Sequence, residues 1–85
     1  MATVKPDICS NFSGNPGDIV QWQNIPTTGC KISLGTTTWP FNPGPPINLP
    51  TTSTITIKTG LPTATTYNFN AECCLNEVIK TVRVG

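Results

Sequence analysis

The 85-residue chain contains no histidine. That absence removes the usual proton shuttle near neutral pH, the Ser-His and Cys-His nucleophile systems, and most metal centres built on imidazole. Charge is the second scarcity. Five Lys or Arg face four Asp or Glu, for a formal net charge of +1. No basic patch is available to neutralise phosphates, so nucleic acid is not an expected partner. The acids do not cluster into a run or a tail either. Asp7, Asp18, Glu72 and Glu77 are dispersed, and nothing in their spacing makes two of them converge on a cleft. With no nucleophile beside a base, an enzyme is not expected. Long apolar runs are also missing. None approaches the roughly 20 residues of a membrane-spanning helix, so membrane insertion is not expected. No leader is legible at Met1-Ala2-Thr3. Two expectations stay open there: a leader trimmed away, or a piece cut from a longer chain.

What the chain does have is threonine in abundance, nine prolines, seven glycines and four cysteines. This composition favours short strands and turns over helices. Alternation of apolar and polar residues, the signature of a half-buried strand, recurs along the sequence. In "DIVQWQ", Val20 and Trp22 share a face, which makes Trp22 a core residue. In "GCKISL", Cys30, Ile32 and Leu34 share a face against Lys31 and Ser33. In "TITIK", Ile55 and Ile57 oppose the threonines. In "TYNFNAEC", Tyr67, Phe69, Ala71 and Cys73 oppose Asn68, Asn70, Glu72 and Cys74. In "VIKTVRV", Val78, Lys80, Val82 and Val84 oppose Ile79, Thr81 and Arg83. "SGNPGD", "NIPTTG" and "TGLPTAT" separate these runs as turns, and Asp18 is expected to stabilise the first of them. No repeat and no helix of three turns can be placed.

These signals predict an all-β fold: a small Greek-key β-sandwich or barrel of about 6–8 short strands with no substantial helix. The chain is one domain over residues 1–85, with residues 1–15 as an edge strand plus a loop. Residues 39–50, "WPFNPGPPINLP", carry five prolines. Those prolines exclude a helix interior and a central strand, so an ordered loop pinned by Trp39, Phe41, Ile47 and Leu49 is expected. Trp39 and Phe41 either plug one end of the sandwich or form an exposed loop for binding a partner. "NFSG" at Asn11 fits the Asn-x-Ser glycosylation pattern.

Several of these stretches resemble the cupredoxin family. "PGDIVQWQN" (Pro16 to Asn24) is similar to the strand that follows a Gly-Asp turn in that family and ends in Trp-x-Asn. "TYNFNAECC" resembles the strand leading to the family's copper-binding cysteine, here Cys73, and "KTVRV" resembles its closing strand. The resemblance spans Pro16 to Val84 and implies a cupredoxin-like sandwich. It does not carry the copper site over. Cys30 stands where the family's first histidine ligand would be, nothing in "LNEVIKT" supplies the second histidine or the methionine, and Cys73 falls two residues late. A blue-copper centre needs two imidazoles and a thiolate.

Four cysteines permit three pairings, and the residues alone leave all three open. The resemblance implies one of them. In a cupredoxin-like sandwich the strand ends at Cys30 and Cys73 meet at the pole where copper would sit, which implies a Cys30–Cys73 disulfide and leaves Cys9 for Cys74. A vicinal Cys73–Cys74 bridge needs a strained eight-membered ring. The competing chemistries are a cysteine-only zinc site, and a redox dithiol or Cu(I) site at Cys30 and Cys73. Adjacent cysteines do not easily share a tetrahedral metal, and no Cys-x-x-Cys or nearby lysine is legible to lower a thiol pKa. Structural disulfides imply an oxidising compartment: extracellular, cell surface or periplasmic. The expected function is therefore a non-catalytic, metal-free domain with a structural or protein-binding role, a monomer whose partner is a protein or a cell surface. Its binding pole would be formed by "NIPTTG", "WPFNPGPP" and "CCLNE". The alternative is thiolate-based copper binding or electron transfer.

Overall fold

The structure is a computed structural model, and it describes all residues from Met1 to Gly85. It is all-β, with no helix and nine short strands. These are β1 (Thr3–Val4), β2 (Phe12–Gly14), β3 (Ile19–Val20), β4 (Cys30–Leu34), β5 (Phe41–Asn42), β6 (Ile47–Leu49), β7 (Thr56–Ile57), β8 (Thr65–Ala71) and β9 (Ile79–Val84). They form a four-stranded sheet, β1-β3-β7-β5, and a five-stranded sheet, β2-β9-β8-β4-β6. Nine strands exceed the 6–8 expected from sequence because β2 and the proline-rich strands β5 and β6 have too few residues to show alternation. Residues 1–15 accordingly hold two strands, β1 at the edge of one sheet and β2 at the edge of the other.

Where the strands are long, the faces follow the alternation, except that Leu34, expected on the core face with Cys30 and Ile32, is 52% exposed at the end of β4. Tyr67, Phe69 and Ala71 of β8 are buried, as are Lys80, Val82 and Val84 of β9 and Cys30 and Ile32 of β4. Facing them across the core, Val20, Trp22, Phe41, Ile55 and Ile57 come from the four-stranded sheet and its flanks. Four aromatic rings interlock here: Trp22 meets Phe12, Phe41 and Phe69 edge-on, at centroid distances of 5.9, 5.3 and 5.9 Å. Such pairs add about 0.5–1.5 kcal/mol each beyond the area they bury. Trp22 Nε1 is buried among them without a hydrogen-bond acceptor.

Trp39 and Phe41 belong to this core, 5% and 0% exposed, and so do not form an exposed aromatic patch. Trp39 packs edge-on against Phe41 at 5.4 Å, and its Nε1 donates to the Pro43 carbonyl at 2.9 Å. That bond ties the proline-rich segment to the core. The segment is more than a loop: β5 and β6 lie within it, each at the edge of its sheet, where a missing proline N–H costs no ladder bond.

The two sheets end in polar clamps. Asp18 Oδ2 accepts from Asn15 N at 2.9 Å and Oδ1 from Ala2 N at 3.1 Å, so one buried carboxylate closes its own turn and holds the N-terminus. The Asn15 and Ala2 N–H groups hold the Asp18 carboxyl below the usual carboxylate range. On the other sheet β4 stops at Leu34, one position short of Asn68 on β8. The chain that follows supplies the missing partners. Asn68 Oδ1 accepts from Thr36 N at 2.7 Å and Thr37 N at 3.2 Å, and Asn68 N donates to Thr37 Oγ1 at 2.9 Å. Gly35 makes this possible, because a Cβ there would collide with the Asn68 amide and main chain.

Candidate functional site

The cysteines gather at one end of the five-stranded sheet. β4 begins at Cys30, and the register Ile32↔Ala71 places the exit of β8 beside it. Gly29 turns the chain into β4 with φ +86°, and a side chain there would strike the Leu49 carbonyl oxygen at 2.7 Å. After Ala71 the alternation stops, since Cys74 N donates back to the Ala71 carbonyl at 3.0 Å and closes a tight turn. Cys74 therefore does not face away from the core, as strict alternation predicts. It is buried, 4% exposed, while Cys73 is half-buried.

Cys30 is bonded to Cys73, with Cα atoms 5.0 Å apart, and Cys9 to Cys74, with Cα atoms 5.7 Å apart. No cysteine is free. The bonds close loops of 43 and 65 residues, each worth about 4 kcal/mol in unfolded-chain entropy. Cys9 is held in place by Asp7, whose Oδ1 accepts from Cys9 N at 3.2 Å and whose Oδ2 accepts from Asn24 Nδ2 at 2.7 Å. The Asn24 amide first, then the Cys9 N–H, lower the Asp7 carboxyl pKa.

The two disulfides lie side by side. The sulfurs of Cys9, Cys73 and Cys74 fall within 4.8 Å of one another, and Cys73 Sγ is 4.0 Å from Cys74 Sγ. They line an open groove of about 580 Å³ with Leu75, Asn76, Glu77 and Lys80. Leu75 is 92% exposed at its lip. Lys80 is the residue that sequence reading missed. Its inward register on β9 was legible, but not that this position lies beside the sulfurs. The residue is 9% exposed and lines the groove.

Fitting the copper chemistry of the resembling family fails on the donors. The chain has no imidazole, and Cys30 and Cys73, the two candidate thiolates, are bonded to each other. The expected pole also differs in its loops. "NIPTTG" and "CCLNE" flank the cystines, but "WPFNPGPP" does not join them. β6 runs antiparallel to β4 in the register Cys30↔Leu49 and Ile32↔Ile47, which carries Pro45 and Pro46 toward Leu34 instead. Asn11 is exposed just before β2, its Oδ1 accepting from Thr81 N at 3.0 Å. No protein-family model matches the chain, and no curated protein or solved structure matches it.

Proposed function

We propose that this is a non-catalytic, cupredoxin-like β-sandwich of an oxidising compartment, extracellular, cell-surface or periplasmic, acting as a monomeric structural or protein-binding domain. The observation that carries this reading is the pairing of all four cysteines into two adjacent disulfides at one end of a small core. A domain of this size is marginal without such bridges. Disulfides of this kind persist where thiols are not kept reduced. Binding is assigned to the cystine end, where the loops of residues 24–29 and 72–78 are pinned by covalent bonds and raise the exposed Leu75. Recognition by loops on a rigid scaffold, with little ordering cost on binding, suits that arrangement.

The test is the intact mass of protein exported to an oxidising compartment, with a non-reducing peptide map. Two bridges, Cys30–Cys73 and Cys9–Cys74, and loss of the fold on reduction are the expected results. Four free thiols in such protein, with stoichiometric Cu(I) binding, would establish the thiolate-copper reading in its place.

A further inference from the structure

The two disulfides are unequal in their surroundings. Cys30 is buried in the core with Ile32 and Leu49, and its partner Cys73 is half-buried. Cys9, by contrast, is exposed, and its buried partner Cys74 lines the same groove as Lys80. Two groups around Cys74 have no task in the oxidised protein. One is Lys80, which is 9% exposed as a residue, lines the same groove as Cys9, Cys73 and Cys74, and has no carboxylate in salt-bridge contact. The other is the Ile8 carbonyl oxygen, 3.6 Å from Cys74 Sγ. A thiol can donate to that oxygen; a disulfide sulfur, having no hydrogen, cannot.

We propose that the Cys9–Cys74 disulfide is an exchange site for thiols, opened by attack of an external thiolate on the Cys9 sulfur, with Lys80 receiving the Cys74 thiolate as it leaves. The incoming thiolate forms one S–S bond to Cys9 as the Cys9–Cys74 bond breaks. The electron pair departs on Cys74. Lys80 lines the same groove as Cys74, and a cation there makes that thiolate a better leaving group. It then takes a proton from water and, as a thiol, donates to the Ile8 carbonyl. The product is a mixed disulfide at Cys9 and a buried Cys74 thiol. The number of S–S bonds is conserved, and the only co-reactant is the thiol. Onward attack by Cys74 on Cys73, at 4.0 Å, would create the strained ring of a vicinal bridge. Cys30–Cys73 therefore stays closed and keeps β4 and β8 clamped while the first bridge is open. The site accepts thiols as a class, small peptides such as glutathione or an accessible cysteine on another protein. This goes beyond the binding role assigned above, and requires only that the protein is oxidised at rest.

The oxidised full chain is exposed to graded reduced glutathione, quenched in acid and mapped without reduction. The expected first product carries one glutathione on Cys9, a free Cys74 and an intact Cys30–Cys73 bond, with the near-UV circular dichroism of the untreated protein. Opening of Cys30–Cys73 first, or simultaneous opening of both bridges with loss of the fold, would overturn the proposal. Lys80→Met keeps an apolar stem and removes the charge. Its exchange rate is expected to fall several-fold and to lose its salt dependence, with Lys80→Arg restoring both. An unchanged rate in a folded Lys80→Met protein would overturn the role given to Lys80. Should Lys80→Met unfold, the salt dependence of the unsubstituted protein decides: a rate independent of salt overturns that role, and a falling rate supports it.

Discussion

Strands β4 and β8 are closed twice, once at each end, by different chemistry. At the Cys30 end the closure is covalent, Cys30 to Cys73. At the Leu34 end it is an amide, Asn68, whose Oδ1 accepts from the Thr36 and Thr37 N–H groups, while the Thr37 hydroxyl oxygen accepts from Asn68 N. The covalent closure acts by restricting the unfolded chain and depends on the redox state. The polar closure acts in the folded state, by partnering one exposed donor, Thr36 N, and two part-buried ones, Thr37 N and Asn68 N. One sheet thus has one end held by a covalent bond and one held by hydrogen bonds alone.

Substitutions can separate these two closures. Replacing Cys30 and Cys73 together with alanine should have the largest effect, about 4 kcal/mol of unfolding free energy by denaturant titration, from the entropy of a 43-residue loop. A loss near zero would mean that native strain cancels the entropic gain. Next comes Asn68→Ala, which takes the acceptor from the Thr36 and Thr37 N–H groups. It should cost about 1–2 kcal/mol, because several bonds of modest net worth are lost while the exposed Thr36 N–H turns to water. That cost should be the same with or without the Cys30–Cys73 bond, since distant independent sites add. Strong coupling between the two would show that the ends act as a unit. Thr37→Val removes only the hydroxyl that accepts from Asn68 N, and about 1 kcal/mol is expected.

The smallest effect is one of pH. The Asp18 carboxyl is held below the unfolded value of about 3.9 by the Asn15 and Ala2 N–H groups. A lowered folded pKa gives stability that is fully present above the unfolded value and is lost as pH falls through the folded one. Thermal melts from neutral to strongly acidic pH should show this decline. Asp18→Asn should flatten part of it, leaving the contribution of Asp7, whose carboxyl is lowered by the Asn24 amide and the Cys9 N–H. An acid limb untouched by Asp18→Asn would assign the decline elsewhere.

The legible part of this fold was wherever a strand was long enough to alternate. Lys80, Val82 and Val84 read correctly as one face because β9 has six residues, and β8 read correctly over its seven. Two-residue strands such as β5 carry no period, and β2 is hidden in a stretch that resembles a loop. Cys74 was misplaced because the strand ends at Ala71 and a turn resets the direction of the side chains. The candidate site was half legible. Its cysteines are conspicuous, but the placing of Lys80 and Cys9 on one groove depends on pairings between residues far apart in the chain. The position of the proline-rich loop failed for a similar reason, since it turns on the β4–β6 register and not on composition.

The pairing of β2 with β9 has a consequence for the order in which the chain can become structured. Phe12 lies beside Val82 and Gly14 beside Val84, in parallel, so the edge of the larger sheet joins the first turns of the sequence to its last strand. A nascent chain leaving the ribosome has nothing for β2 to add to until β9 has been made. Contacts this distant along the chain also make for slow folding, in the millisecond-to-second range of non-local β topologies. The larger sheet therefore cannot be completed, with β2 at its edge, until the segment that holds β9 has been made.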